Sequence, residues 1–487
     1  MTAKAVTVLG TTSAAGKSWL ATALCRWYAR RGLKVAPFKA QNMSNNARVV
    51  PGLAGALGEI GSAQYFQALA ARARPDVRMN PVLLKPESDT GSQVVVLGEV
   101  RADLAAVPWR ERSERLWPFA RDALHALMAE NDVVVIEGAG SPAEINLMAS
   151  DFVNLRTARE VHAACLLVSD IDRGGAFAHL YGTHQLIGAD DRALIRGFVL
   201  NRFRGDAELL APGPQQLQQL TSVPTLAVLP LWRGHGLPEE DGMFDATSGA
   251  VTASGPRVAV IAAPRISNLD EFQSLRHGSG VRLRWARSEG DLSDADWIVV
   301  PGSKHTSSDL AWMRESGIAA AIERHAHGGR PVLAVCGGLQ MLGVALDDPH
   351  GVDGSAAGLG LLPLTTRFER DKSLRKTGAS FRGVDGVWSA LAGVVFDGYE
   401  IHHGRTIEAP LLGSCGLRAV LFDAQGEAVG WQQGSVLGLY VHGLFESPAV
   451  MRALFGADVR TLDSVFDGLA DFVDRHFVPG SLHSLLS

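Results

Sequence analysis

The stretch Val6-Thr-Val-Leu-Gly10-Thr-Thr-Ser-Ala-Ala-Gly16-Lys17-Ser18 decides the fold of the first part of the chain. An apolar run ends at Gly10, a loop of small residues follows, and an amphipathic segment from Trp19 to Arg31 comes next. The order is therefore strand, loop, helix. A loop of this kind binds phosphate oxygens with its backbone N–H groups, and the helix start adds partial positive charge. The stretch predicts a phosphate-binding loop with one residue more between its glycines than the common Walker A pattern.

The residues of this loop have separate roles in phosphate binding. Gly10, Thr11 and Gly16 allow close approach of the backbone, Lys17 neutralises phosphate charge, and the Ser18 hydroxyl is a ligand for Mg²⁺. The alternative interpretation is a tight strand-to-helix turn that carries Lys and Ser without a function. The position between a strand and a helix favours nucleotide binding.

Short apolar runs alternate with amphipathic stretches, which predicts parallel sheets with crossover helices. The predicted strands are Val6–Leu9, Val35–Phe38, Val133–Ile136, Ala164–Val168, Gly197–Val199, Thr225–Leu229, Val258–Ala262, Trp297–Val300, Pro331–Val335, Val394–Phe396 and Leu437–Val441. We predict an α/β protein of two domains, each with a mainly parallel sheet flanked by helices. Gly, Pro, Ser and acidic residues predict a linker between them. The predicted boundaries are 1–232 for the P-loop domain, 233–256 for the linker, 257–450 for the second domain and 451–487 for a C-terminal helical segment.

Charged residues follow three strands of the first predicted sheet, at the edge where such sheets bind ligands. Lys39 is placed to stabilise a transferred phosphoryl group. Glu137, in Glu137-Gly-Ala-Gly140, is predicted to bind Mg²⁺, with a solvated strand-end Glu as the alternative. Asp170, Asp172 and Arg173 follow a third strand, where metal binding, carboxylate recognition and a structural salt-bridge cluster all remain open.

A second motif, Val332-Leu-Ala-Val-Cys336-Gly-Gly-Leu-Gln340, is a buried strand that ends at a cysteine and continues into a helix. A thiol on such a sharp turn is exposed at the sheet edge, and the helix start favours its thiolate. Most cysteines are small buried core residues, and we keep this interpretation for Cys25, Cys165 and Cys415. Cys336 is instead predicted to be a nucleophile, because two further features fit the same site.

Those features are a histidine and a glycine turn, each at the end of an apolar strand. His442 lies in Leu439-Tyr-Val-His442-Gly, and Gly302 lies in Val299-Val-Pro-Gly302-Ser. His442 is predicted to be the base for Cys336, against the alternative of a structural histidine. The backbone near Gly302 and Gly337 is predicted to hold an oxyanion.

The composition excludes several classes of protein. The 487 residues carry 46 Lys and Arg against 51 Asp and Glu, a formal net charge of −5, so no nucleic-acid or membrane-surface partner is expected. The sequence has neither an apolar span that crosses a bilayer nor the features of a signal peptide. Four widely spaced cysteines fit a reducing compartment. We predict a cytoplasmic protein with small-molecule partners, and leave open whether it forms a homo-oligomer.

The Cys336 turn and the His442 segment resemble class I, or triad, glutamine amidotransferase domains. The resemblance implies glutamine hydrolysis through a cysteinyl thioester, with Gln340 among the glutamine-binding residues. Two positions depart from the family pattern: Ala334 stands where Gly is usual, and Leu444 stands where the family places the Glu of its triad. The site is therefore predicted as a dyad, as in the corrinoid amidases whose glutaminase domains lack that Glu.

The first half resembles the dethiobiotin-synthetase-type ATPases, which share its phosphate loop, the strand-end Lys39 and the Glu137 turn. This resemblance implies phosphorylation of a carboxyl substrate with ATP and Mg²⁺, and a nucleotide contact for Asn201. The fusion of both domains resembles the cobyric acid synthase family. The motifs that carry this second resemblance are Pro37-Phe-Lys-Ala-Gln-Asn-Met-Ser-Asn-Asn46, Asp170-Ile-Asp-Arg-Gly-Gly175 and Tyr399-Glu-Ile-His-His-Gly404.

The resemblance implies that ATP and glutamine are used to amidate the b, d, e and g carboxylates of adenosylcobyrinic acid a,c-diamide. It implies that Gln41, Asn42, Ser44 and Asn45 contact this corrinoid, and no tightly bound organic cofactor is expected. One alternative is a cobyrinic acid a,c-diamide synthase. Another is a regulatory P-loop ATPase with an inactive amidotransferase-like binding module, although such ATPases carry a lysine where this chain has Thr12.

Overall fold

The computed structural model describes residues 3–87, 91–238, 255–276, 280–409, 416–458 and 460–487. By its internal contacts the chain divides into two units. The first unit comprises Met1–Ser44, Val50–Asp241 and Thr461–Ser487, and the second comprises Asn45–Val49 and Gly242–Arg460. Most of the predicted linker, and Cys415, lie outside the described residues. The end of the chain thus belongs to the first unit, and a short N-terminal segment belongs to the second.

Strands and helices alternate along most of the chain. The strands up to residue 230 are β1 (Lys4–Gly10), β2 (Val35–Phe38), β3 (Gln41–Met43), β4 (Ala47–Pro51), β5 (Leu57–Gly61), β6 (Val82–Pro86), β7 (Ser92–Val96), β8 (Glu99–Val100), β9 (Val133–Glu137), β10 (Ala164–Asp170), β11 (Ile195–Phe203) and β12 (Thr225–Pro230). The later strands are β13 (Arg257–Ile261), β14 (Arg282–Ala286), β15 (Trp297–Val300), β16 (Val332–Val335), β17 (Ala345–Asp347), β18 (Ala356–Ala357), β19 (Leu364–Phe381), β20 (Val395–Glu408), β21 (Arg418–Asp423), β22 (Ala428–Gln433) and β23 (Val436–Leu439). The α-helices are α1 (Lys17–Ala29), α2 (Ser62–Ala70), α3 (Ala102–Ala105), α4 (Trp109–Glu130), α5 (Thr157–Glu160), α6 (Ala176–Leu186), α7 (Ala189–Arg192), α8 (Gly213–Thr221), α9 (Gln273–Arg276), α10 (Thr306–Glu315), α11 (Ile318–His327), α12 (Gly337–Leu342), α13 (Pro448–Phe455), α14 (Leu462–His476) and α15 (Ser481–Ser484).

The first unit is built around a parallel sheet with the strand order β12-β11-β10-β1-β9-β2. Its strands are apolar throughout because both faces are covered, as in β9, where every residue is buried. Since β9, β1 and β10 are neighbours, Glu137, Gly10 and Asp170 all lie at the carboxyl edge of the sheet. A smaller sheet in the order β3-β6-β7-β8 carries Gln41 and Asn42 on β3.

The C-terminal helix α14 completes the first unit. Its N-terminus is capped by Thr461, whose hydroxyl accepts a hydrogen bond from the N–H of Ser464. The apolar side of α14, with Phe466 and Leu469 fully buried, joins the same core cluster as α1. The acids on the helix pair with arginines in and just after α1. Arg26 is fully buried and pairs with Asp463 and Asp467, so removing α14 would expose both an apolar face and a buried cation.

The second unit has a larger, mixed sheet. Its parallel part has the order β14-β13-β15-β16-β23. From β23 the sheet continues through antiparallel pairings to β22, β21 and β19, and β19 forms a long antiparallel ladder with β20. The predicted α/β class with two parallel-sheet domains is confirmed, and the antiparallel extension is an addition that the apolar runs did not predict. Within the part of the chain that the structure describes, none of the helices combines the length and apolarity that crossing a membrane requires.

Candidate active sites

The phosphate loop of the first unit lies between β1 and α1 as the sequence predicted. Lys17 extends across the loop, and its Nζ donates to the carbonyls of Thr12 and Gly140, each at 3.0 Å. Gly16 has a φ of 101°, and a Cβ placed on it would lie 2.1 Å from Nδ2 of Asn201. Glycine is therefore required there for both backbone conformation and space.

Glu137 lies at the centre of a buried polar cluster beside the loop. Its Oε1 accepts hydrogen bonds from Ser18 Oγ and Lys39 Nζ, each at 2.8 Å, and its Oε2 accepts from the amides of Gln64 and Gln67. Burial by itself would raise the pKa of Glu137, but the Lys39 cation and the donated hydrogen bonds outweigh burial and the pKa lies below its ordinary value. Glu137 is thus a carboxylate at neutral pH. An anionic oxygen next to a serine hydroxyl is a donor set that fits Mg²⁺.

The phosphate loop is also held by hydrogen bonds to β10 and β11 of the same sheet. Asn201, predicted to contact the nucleotide, donates from Nδ2 to the carbonyl of Ala15 at 2.9 Å. Thr11 donates from its backbone N–H to the carbonyl of Val168 at 2.9 Å, and its hydroxyl donates to Ser169 Oγ at 3.0 Å. These bonds fix the course of the loop. The role that the structure gives Asn201 is therefore support of the loop backbone, which the sequence did not indicate.

The predicted substrate residues after β2 fall into different parts of the structure. Gln41 and Asn42 are buried on β3, where Asn42 Nδ2 donates to Gln64 Oε1 at 3.2 Å. Ser44 is also buried, and its N–H donates to the carbonyl of Leu84 at 3.0 Å. Asn45 belongs to the second unit. Gln41, Asn42 and Ser44 thus belong to the first unit and Asn45 to the second, and their contact with a substrate stays a prediction.

Asp170, the last residue of β10, and Asp172 both lie in salt bridges. The carboxylate of Asp170 accepts from Arg202 Nη1 at 2.9 Å and lies 3.5 Å from Arg173 Nε. Asp172 pairs with Arg204. Of the three interpretations that the sequence left open, this arrangement matches the structural salt-bridge cluster.

Cys336 lies on a strained turn between β16 and α12 in the second unit. Its φ of 51° and ψ of −108° fall outside the regions that a side chain favours. The following glycines are required by close packing: a Cβ on Gly338 would lie 2.1 Å from the carbonyl oxygen of Val300, and one on Gly337 would lie 2.8 Å from the backbone N of Ser303. Both positions must therefore be glycine for this turn to pack against the end of β15 and the residues that follow it.

His442 lies just beyond β23, close enough to Cys336 for the sulfur to act on its pKa. Its Nδ1 donates to Glu271 Oε1 at 3.0 Å, and the N–H of Gly443 donates to Glu271 Oε2 at 2.9 Å. Both side chains are buried. Burial alone would lower the pKa of His442, but the Glu271 carboxylate and the Cys336 sulfur outweigh burial and raise the pKa to about 10. The three residues form a Cys–His–Glu chain.

The sequence predicted a dyad of Cys336 and His442. The structure adds Glu271, which hydrogen-bonds His442 as the acid of a catalytic triad does. Glu271 lies in a 3₁₀ turn, Leu269–Phe272, far from Leu444 in the sequence. Leu444 itself is fully buried in the core. Glu271 was not predicted from the sequence, where it stands beside a second acid, Asp270, ten residues after the end of β13.

Gln340, predicted to bind glutamine, is buried behind the cysteine turn. Its Oε1 accepts from Thr306 Oγ1 at 3.3 Å, and its Nε2 donates to Tyr440 OH at 3.4 Å.

The other described cysteines are core residues: Cys25 and Cys165 are fully buried, and burial raises the pKa of both thiols, that of Cys165 to about 12.

Comparison with known proteins adds the family. Residues 6–233 match the family model described as the CobQ/CobB/MinD/ParA nucleotide binding domain, and residues 257–450 match the CobB/CobQ-like glutamine amidotransferase domain. The chain is 74% identical to the cobyric acid synthase of Methylibium petroleiphilum over 100% of this chain and 97% of that protein. The chain belongs to the cobyric acid synthase family.

Further relatives agree with this assignment. The chain is 68% identical to the cobyric acid synthase of Leptothrix cholodnii, over 100% of this chain and 97% of that protein. It is 66% identical to that of Variovorax paradoxus over 100% of both chains. The predicted resemblance to the cobyric acid synthase family and the prediction of a glutamine amidotransferase-type ligase with a nucleotide-binding domain are confirmed.

Gly302 offers a test of the geometry around His442. A Cβ on Gly302 would lie 2.9 Å from Cε1 of His442 and 2.8 Å from Ser267 Oγ. We expect Gly302→Ala to displace the imidazole and lower glutamine-dependent activity about 100-fold, while activity with added ammonia is retained. Gly290→Ala is the control, since its Cβ would meet nothing closer than 3.7 Å. Steady-state rates of amidation with glutamine and with ammonia test this prediction. An equal loss of rate with both nitrogen sources would contradict it.

Proposed function

We propose that the chain is a cobyric acid synthase that amidates the b, d, e and g carboxylates of adenosylcobyrinic acid a,c-diamide. ATP activates each carboxylate and glutamine supplies the nitrogen. Membership of the family at up to 74% identity supports the overall reaction. The observation that carries the nitrogen half is the buried His442–Glu271 hydrogen bond next to Cys336, which lies on a strained turn at the end of a strand. The use of ATP and glutamine fits the predicted cytoplasmic location.

In the glutaminase half, the Cys336 thiolate attacks the side-chain carbonyl of glutamine. Backbone N–H groups near Gly302 and Gly337 hold the oxyanion that forms. His442 donates a proton to the departing ammonia and leaves a thioester, and it then takes a proton from the water that releases glutamate. Glu271 keeps the imidazole in one tautomer and stabilises its cationic form.

In the synthetase half, a carboxylate becomes reactive when it is converted to an acyl phosphate. The phosphate loop from Gly10 to Lys17 holds the nucleotide phosphates, and Lys39 stabilises charge on the transferred group. Ser18 and Glu137 are the residues that would hold Mg²⁺, which neutralises phosphate charge when bound. Gln41 and Asn42 are proposed to contact the corrinoid.

The coupling of the two halves follows from the chemistry of nitrogen. A carboxylate is a poor acyl donor because an amine would have to expel an oxide, whereas ammonia displaces phosphate from an acyl phosphate readily. Ammonia in neutral water is mostly protonated and therefore not nucleophilic. Release of ammonia from glutamine within one enzyme provides the unprotonated nucleophile when the activated ester is present.

The proposal is tested by incubating the purified protein with ATP, Mg²⁺, glutamine and one corrinoid at a time. We expect four new amides on adenosylcobyrinic acid a,c-diamide, counted by mass spectrometry, and none without ATP. Amidation of the unamidated acid but not of the a,c-diamide would instead identify an a,c-diamide synthase. ATP hydrolysis without amidation of either corrinoid, together with no glutamine hydrolysis, would identify a regulatory ATPase.

A further inference from the structure

The short segment Asn45–Val49 belongs to the second unit although it comes from the first tenth of the sequence. Its backbone and side chains hold the turn that carries Glu271. Asn46 Oδ1 accepts from the N–H of Leu269 at 2.9 Å, and the N–H of Ala47 donates to Asn268 Oδ1 at 3.0 Å. The segment is thus bonded on both sides to the start of the Leu269–Phe272 turn.

Arg48, the fourth residue of this segment, is almost fully buried. Its guanidinium donates from Nε to Asp270 Oδ2 at 3.1 Å, and from Nη1 to Glu446 Oε2 at 3.0 Å. Nη2 bonds the same two carboxylates. The guanidinium also lies over the ring of Tyr399, 4.8 Å from its centroid. One cation therefore joins three elements of the second unit.

Each partner of Arg48 is close in sequence or in contact with His442 or with Glu271, the carboxylate that His442 hydrogen-bonds. Asp270 directly precedes Glu271, and Glu446 ends the 3₁₀ turn Leu444–Glu446, which follows His442 and Gly443. Tyr399 stacks on the His442 ring with centroids 5.2 Å apart, and its carbonyl accepts the His442 N–H at 2.9 Å. Arg48 thus contacts residues that hold His442 and Glu271 in place, and none of these contacts is with the imidazole itself.

We propose that Arg48 is a positioning residue of the glutaminase, which holds Glu271 and His442 in register for proton transfer to and from Cys336. The proposal rests on the proposed glutaminase function of this unit. Without the guanidinium, the buried carboxylate of Asp270 and the partly buried carboxylate of Glu446 repel each other and Glu271. Their separation, or their protonation, moves the turn that carries Glu271, and the Glu271–His442 hydrogen bond is lost or lengthened.

The test compares Arg48→Met and Arg48→Lys in the full chain. We expect Arg48→Met to lower kcat for glutamine hydrolysis about 100-fold with little change in KM, since a misplaced base affects the transition state more than binding. Arg48→Lys keeps the charge but cannot bridge two carboxylates bidentately, so we expect partial rescue. Amidation with added ammonia reports that each variant is folded. Arg26→Met is the matched control, because Arg26 is a buried arginine that pairs with two acids in the first unit.

Combination with Glu271→Gln distinguishes positioning from a general structural role. If Arg48 acts through Glu271, Arg48→Met in the Glu271→Gln background lowers kcat far less than in the native background. Additive losses would overturn the proposal, as would unchanged glutamine hydrolysis by Arg48→Met or an equal loss with ammonia. If the native protein hydrolyses no glutamine, the proposed glutaminase function is wrong. If the native protein hydrolyses glutamine and Arg48→Met does so at the same rate, only the positioning role of Arg48 is wrong.

Discussion

Replacing Cys336 by alanine is expected to abolish glutamine-dependent amidation and to leave amidation with high ammonia intact. The thiolate forms the bond that releases ammonia, and an alanine at this turn has no nucleophile to replace it. The synthetase half takes its nitrogen as ammonia in either case, so externally added ammonia bypasses the missing step. Initial rates of amide formation with glutamine and with an ammonium salt at alkaline pH measure both halves in one preparation.

The control for this experiment is Cys165→Ala. Cys165 is fully buried in the first unit and its thiol takes no part in the proposed chemistry, so both activities should persist after a modest loss of stability. If Cys336→Ala lost activity with both nitrogen sources while its unfolding curve matched the native protein, the assignment of ammonia release to the second unit would be wrong.

The parallel core of each unit could be predicted because parallel strands that are buried on both faces consist of nearly continuous apolar residues. The predicted bounds of Val35–Phe38 and Trp297–Val300 agree with β2 and β15 residue for residue. The antiparallel strand β19 gave no such signal. It runs from Leu364 to Phe381, carries seven charged residues and alternates between buried and more exposed positions, so its sequence resembles a surface segment.

The cysteine and the histidine could be predicted because each follows an apolar strand at the sheet edge. Glu271 could not, since the sequence offers two adjacent acids, Asp270 and Glu271, on a turn without a regular period. The structure separates them by their partners: Asp270 accepts from Arg48, and Glu271 accepts from His442. Which acid faces the imidazole depends on the backbone course of a 3₁₀ turn and on a segment more than 200 residues earlier, and neither is visible in local sequence.

Glu271→Gln is the change that tests whether the site is a triad. The amide keeps the size of the side chain but removes the charge that stabilises the His442 imidazolium and fixes its tautomer. We expect kcat for glutamine hydrolysis to fall about 10⁴-fold, as replacement of the acid by its amide does in a serine protease triad, with amidation from ammonia unchanged. Glu59→Gln is the control, because Glu59 is also a buried carboxylate in an ion pair, with Lys85 in the first unit.

The pH dependence of the same variant gives an independent check with a defined sign. In the native protein the pKa of His442 is raised to about 10, so the imidazolium persists through neutral pH and is lost only as the pH rises through that value. Without the Glu271 charge, burial becomes the dominant influence and lowers the pKa of His442. The alkaline limb of the kcat profile for glutamine hydrolysis should therefore move to lower pH in Glu271→Gln. A variant with near-native kcat and an unmoved alkaline limb would show that Cys336 and His442 act as a dyad, and that Glu271 only accepts the Gly443 N–H.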